Sequence, residues 1–472
     1  MEGIYEALQR NRDSGRCPMH MPGHKRDVEQ FQMDNPYGLD ITEIHGFDDL
    51  HDADGLLRAA MERAADLYGA GRTWFLVNGS SCGVLAAVGA CVHAGDEVLV
   101  ARNSHKSLYN ALYQNSLTPH YLCPSFLPGF GAAAGVEPQA VEAALQAHPQ
   151  VKLVAVTSPT YEGVVSDIAA IAAVCHAHGV PLLVDEAHGA HLGLAEGFPG
   201  NAVQAGADLV VQSVHKTLPS LTQTALLHWN GDRVSPQRIE RQLSIYESSS
   251  PSYILMASID RCVSFLRQQG GSAFAVYRQR LAGFRQAAAS LSRLRLLGQE
   301  AVGEKGVFAL DPSKIVISTR FAGMTGPELA ASLREKDSIE LEMAARDYAI
   351  AMTSLCDSEE NFHRLAQALL RADREAPPRP PAEEPEPPRL PRRAMTLRAA
   401  EEAPGRLLPL AQTAGRISRE AVFAYPPGIP LIVPGEYVEE EFPALLRSYQ
   451  RAGVSLKNSR RAPVDFLDTV AE

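Results

Sequence analysis

Several signals are missing from this sequence, and each absence narrows the reading. Seven cysteines are scattered through 472 residues with no Cys-x-x-Cys pair. An odd, irregular set reads as free thiols in a reducing compartment and excludes a disulfide-dense secreted scaffold. The longest apolar run, GVLAAVGACV, is too short to span a bilayer. The opening stretch MEGIYEALQRNRDSGR lacks the apolar core of a signal peptide. No internal repeat is present. Basic charge is also in short supply: the formal net charge is −11 and the pI near 5.8. That balance argues against nucleic acid or an anionic membrane as partner. These features together point to a cytoplasmic protein with no membrane segment.

What is present is ordinary globular composition, 45% hydrophobic and 21% charged, in a chain long enough to bury a large core without disulfides or metal. From about residue 57 to 230, short β-rich runs alternate with helical patterns. The runs are TWFLV (73–77), EVLVA (97–101), HYLC (120–123), KLVAVT (152–157), PLLVDEA (181–187) and DLVVQS (208–213). Among the helical patterns are PQAVEAALQAH and DIAAIAAVCHAHG, the latter with Asp167 as N-cap and Gly179 just past its end. Such alternation predicts βαβ units and a mostly parallel sheet, whose ligands sit at the carboxyl ends of the strands. The expected organisation is an N-terminal segment (1–56), a large α/β domain (57–260) and a smaller α/β domain (261–375). A Pro-rich linker (376–394) and a C-terminal domain (395–472) follow. The stretch APPRPPAEEPEPPRLPRR has too little apolar surface to fold alone.

Five constellations fall at strand ends. In LVNGSSCGVLAAV (76–88) a strand turns through Asn-Gly into two serines and an apolar helix. That is either an anion site at a helix N-terminus or a turn with a serine N-cap. His105 in RNSHKS can stack on a flat ligand or simply be solvated. In VDEAHGAH (184–191), Asp185 ends an apolar run and needs a partner. It can join His188 and His191 around a metal, or pair with a cationic ring nitrogen. The string Asp-Glu-Ala-His also occurs in nucleic-acid ATPases, but the phosphate loop that reading requires is absent. Lys216 in SVHKT follows a strand. There a desolvated lysine becomes a nucleophile toward carbonyls, unless it snorkels to water. The run YESSSPSY (246–253) offers hydroxyls to a phosphate or forms a polar loop. Jointly, a phosphate cup, a stacking imidazole, an aspartate for a pyridinium and a lysine for an aldehyde are the parts of a pyridoxal 5'-phosphate site, with no metal required.

The string SVHKTLPSLTQTA closely resembles the signature around the cofactor-bearing lysine of the bacterial Orn/Lys/Arg decarboxylases. Further matches are HMPGHK (20–25), DITEIHGFDDLHDADG (40–55), FLVNGSSCG (75–83), RNSHKS, VDEAHGAH, SSSPSYILMASID (248–260) and YPPGIPLIVPGE (425–436). The likeness is continuous from about 18 to 260, patchy beyond and renewed at 421–436. With so little sequence ahead of PGHK, the resemblance is to the family's short form. It implies a fold-type I, aspartate-aminotransferase-like large domain with a smaller C-terminal α/β part. It also implies decarboxylation of a basic L-amino acid (lysine, arginine or ornithine) to an amine and CO₂, as in polyamine biosynthesis. By that resemblance Lys216 carries the cofactor, Asp185 pairs with its ring nitrogen and His105 stacks on the ring. Ser80, Ser81, Ser213 and His215 hold the phosphate, and His188 lies near the ring hydroxyl. Lys216 or His215 returns a proton to the substrate. Ser248 or Ser249 reaches the neighbouring subunit's phosphate, so a homodimer is expected. The rival readings are an aminotransferase or lyase of the same fold, a DEAH-type ATPase, and a cofactor-binding protein without turnover.

Overall fold

The computed structural model describes residues 3–31, 33, 35–127, 129–379, 390–424, 429–460 and 463–471. Most of the Pro-rich linker and the start of YPPGIP lie outside them. At the centre is a seven-stranded sheet. Its strands are β1 (Arg72–Leu76), β2 (Glu97–Ala101), β3 (Thr118–Leu122), β4 (Val154–Thr157), β5 (Leu182–Asp185), β6 (Leu209–Gln212) and β7 (Ala225–Trp229). The spatial order is β1-β7-β6-β5-β4-β2-β3. All strands are parallel except β7, which runs antiparallel to both β6 and β1.

The expected strands form within a residue or two of their limits, and the central ones are short apolar runs covered on both faces, whereas the edge strand β3 is only partly buried. In β5, Leu182, Leu183 and Val184 are fully buried, each side chain contributing roughly 1.5–3 kcal/mol. Among the covering helices are α1 (Gly79–Cys91), α2 (Lys106–Gln114), α3 (Pro138–Ala147) and α4 (Ile168–Ala177). Asp167 caps α4 by accepting from the Ala170 N–H at 3.0 Å, and Gly179 adopts φ +70° beyond its end. The serine N-cap considered for α1 is not formed. Asn78 occupies that position, and Ser80 and Ser81 lie inside the first turn.

A 35-residue helix, α5 (Tyr253–Ala287), leads to a second sheet, so the expected boundary at residue 260 falls inside one continuous helix. That sheet comprises β8 (Arg295–Leu296), β9 (Lys314–Ser318), β10 (Met343–Ala344) and β11 (Tyr348–Met352) in the order β8-β9-β11-β10, all antiparallel. The N-terminal segment does not stand apart, since Cys17–Met19 pairs in parallel with Ile339–Leu341. Past the linker, a small β-rich unit has its own apolar cluster around Val422, Ile432, Phe442, Leu446 and Leu467. No described helix is long and apolar enough to cross a membrane.

Candidate active site

The carboxyl ends of β5 and β6 bring Asp185, His188 and Lys216 together. Asp185 is the last residue of β5, and Lys216 sits on the helical turn Val214–Thr217 that follows β6. Lys216 Nζ lies 3.0 Å from His188 Nε2. Burial lowers the lysine's pKa, Lys314 adds to that, and Asp185 and Glu342 oppose it. Burial raises the Asp185 carboxyl, which Lys216 and the Ala187 N–H (3.2 Å) counteract. Each group therefore needs the other or an equivalent charge.

The three histidines are held neutral. Burial and then Lys216 bring His105 down to about 4. Its Nδ1 accepts the Ser107 N–H at 3.3 Å, which leaves Nε2 to carry the proton and fixes the ring at the start of α2. His215 also falls to about 4 through burial, although its bond to the Thr224 carbonyl (2.9 Å) opposes this. His188, fully enclosed, is driven well below the ordinary imidazole value by burial and then by Lys216.

The turn from β1 into α1 leaves donors free. Gly79 takes φ +80°, a conformation that suits glycine, and swings the chain from β1 into α1. No side chain caps that helix, so its first N–H groups face outward beside Ser80 and Ser81. Ser213 is fully buried, yet its Oγ has no partner among the described residues, and Asn103 Oδ1 and His188 Nδ1 share that state. Unpaired buried polar atoms are costly, so they mark positions for an absent polar group. These donors, the carboxylate and the lysine fit pyridoxal phosphate. Ser248 and Ser249 are exposed, on a segment tied beside the α1 turn by Asn78 Nδ2 to the Tyr246 carbonyl (2.9 Å) and Cys82 Sγ to Glu247 Oε1 (3.2 Å).

The metal alternative for VDEAHGAH fails on geometry, because His191 turns away to Asp311 Oδ1 at 3.0 Å. Asp311 also takes Lys314 Nζ at 3.0 Å, and Lys314 donates to the His188 carbonyl at 3.3 Å. Burial raises the Asp311 carboxyl, but His191 and Lys314 outweigh it and hold the group well below the usual range. Glu186 is likewise structural: it accepts from the Ala202 N–H (2.9 Å) and Gln212 Nε2 (2.7 Å).

Sequence reasoning missed several contributors. Glu342, at the bend just before β10, accepts from Tyr161 Oη (2.5 Å) and the Met21 N–H (2.8 Å) and acts electrostatically on Lys216. The Tyr161 ring lies 4.4 Å from that of His188. HMPGHK joins the site through its backbone. Gly23 donates to the His215 carbonyl at 2.7 Å, and a Cβ there would fall 2.6 Å from the Leu218 nitrogen, so the motif packs directly on the Lys216 turn. Arg102, three residues before His105, is held by Glu436 (3.0 Å) and the Pro430 carbonyl (2.8 Å) of the C-terminal unit.

Residues 3–336 match the Orn/Lys/Arg decarboxylase major domain, and residues 382–456 match the Orn/Lys/Arg decarboxylase C-terminal domain. The chain belongs to the Orn/Lys/Arg decarboxylase family. It is 34% identical to an arginine decarboxylase of Halalkalibacterium halodurans over 448 residues, covering 93% of this chain and 91% of that one. An arginine decarboxylase of Bacillus subtilis is 32% identical, with 99% and 98% covered. The fold is similar to that of a Francisella novicida lysine decarboxylase, with TM-score 0.77 and 18% identity, over 95% of this chain and 76% of the other. The chain is thus a decarboxylase of the basic amino-acid class, and the DEAH-type ATPase reading is set aside.

Proposed function

We propose that this chain converts L-arginine to agmatine and CO₂ with pyridoxal 5'-phosphate, as a homodimer. The observation that carries the chemistry is the meeting of Lys216, His188 and Asp185 at adjacent strand ends. The choice of arginine rests on the curated arginine decarboxylases that this chain matches over nearly its whole length.

The bound cofactor supplies the electron sink for breaking the Cα–carboxylate bond. Lys216, its charge disfavoured by burial, would be the nucleophile that holds the cofactor. Asp185 keeps the ring nitrogen protonated, and His105 stacks on the ring as a neutral imidazole. Ser80, Ser81, Ser213 and His215, with the first N–H groups of α1, hold the phosphate. His188 orients the lysine amine and reaches the ring hydroxyl, and Ser248 or Ser249 serves the partner subunit's phosphate. Glu342 gives the cleft a second carboxylate, with lone pairs to spare for a cationic side chain. Lys216 or His215 returns a proton to Cα once CO₂ has left.

The test is purified protein with pyridoxal phosphate and, separately, arginine, lysine and ornithine, measuring amine and CO₂. Arginine should give the highest kcat/KM, with CO₂ and agmatine in equal amounts. Preference for lysine or ornithine would refute the substrate assignment alone. Keto acid without CO₂ would indicate transamination instead.

A further inference from the structure

Away from the catalytic cleft, one face of the sheet edge gathers three ligand-type side chains. Glu97 is the first residue of β2, His120 lies in the middle of the edge strand β3, and His148 follows α3. The register sets Leu99 beside His120. Residues 97 and 99 share a face, so Glu97 and His120 project to the same side. His120 Nε2 lies 2.8 Å from Glu97 Oε2, and the His120 and His148 rings stack with centroids 3.6 Å apart at 19°. One nitrogen or oxygen from each of the three lies within 4.8 Å of the others, and all three side chains are partly exposed.

We propose that Glu97, His120 and His148 bind one zinc ion, with water as the fourth ligand. Two imidazoles and a carboxylate are a recognised zinc donor set. Tetrahedral bonds of about 2.0–2.1 Å place ligand atoms roughly 3.4 Å apart, so the two stacked rings must splay and the side chains rotate to reach that spacing. Partial exposure allows those rotations and leaves room for the water. Neutral imidazole is the form that takes metal. Arg393 acts on His120, and its charge opposes a bound cation. The ion would tie the start of β2, the open edge of the sheet and the end of α3, segments distant in sequence. Its role is to hold the edge strand, apart from decarboxylation.

The test uses the holoenzyme freed of trace metal by dialysis against a chelator, titrated with zinc chloride by calorimetry. One zinc per chain is expected, with a rise in Tm that follows from binding the native state alone. The double variant His120→Ala, His148→Ala should lose both effects and keep wild-type decarboxylation. Glu97→Gln should weaken binding about 10–100-fold. No stoichiometric zinc in the wild type, or equal zinc in the double variant, would overturn the site. Should the double variant not fold, the unaltered protein decides the matter. Zinc should protect His120 and His148 from diethyl pyrocarbonate, and unchanged modification of both would refute the proposal.

Discussion

The Lys216 amine and His188 Nε2 are 3.0 Å apart, and the other nitrogen of His188 is buried without a partner among the described residues. A lysine donating to Nε2 fixes the proton on Nδ1. The histidine then holds the nucleophile on one side and presents a donor on the other. His188→Ala should retain the fold by circular dichroism and lose about 10²-fold in kcat, the scale of a displaced proton-handling partner. A kcat within a factor of a few of wild type would remove His188 from the machinery.

Asp185→Asn keeps the shape of a half-buried side chain and removes its charge. Cofactor occupancy, read from the absorption spectrum, should largely survive. The single-turnover decarboxylation rate should fall by about 10²–10³, as for other preorganised electrostatic partners. Full occupancy with a near wild-type rate would show that Asp185 does not hold the ring nitrogen.

The Arg102–Glu436 pair joins the C-terminal unit to the loop that carries His105, with side chains 10% and 0% exposed. Arg102→Met leaves Glu436 buried and unpaired and should destabilise the protein by about 3–5 kcal/mol. Adding Glu436→Gln should recover much of that loss. Urea denaturation of the single and double variants measures both, and equal stability of the two would mean the charges are not coupled.

Glu186 gives a pH signature. Burial raises its pKa to about 8 from 4.5, although Gln212 and the Ala202 N–H oppose this. The folded chain therefore holds a proton that the unfolded chain releases at lower pH. Its stabilising contribution is complete below about 4.5 and is lost as pH rises through about 8. Glu186→Gln should start from a lower Tm and show a flatter profile between those limits. His228 acts oppositely: burial drops it from 6.5 to about 3, so its contribution is lost as pH falls through that range.

Much of the sheet was legible because its central parallel strands are short apolar runs, as in Val184 followed by the polar Asp185. The site was legible where chemistry sits just beyond such runs, which is why Lys216, Asp185 and His105 stood out together. Glu342 carried no comparable signal. It lies at the bend just before β10, more than a hundred residues from Lys216, and no local periodicity links the two. Arg102 and Glu436 were equally hidden, since pairing across more than three hundred residues exists only in three dimensions. The boundary at residue 260 was drawn where the motifs thin out, whereas α5 continues because its apolar positions contact both parts of the molecule.

Reduction of the cofactor-loaded protein with borohydride, followed by peptide mapping, tests the assignment of Lys216 most directly. Wild-type protein should carry one phosphopyridoxyl group per chain, on the peptide that contains Lys216, and Lys216→Ala should carry none there and lose nearly all turnover. A label on another lysine, or turnover preserved in Lys216→Ala, would contradict the site built around this residue.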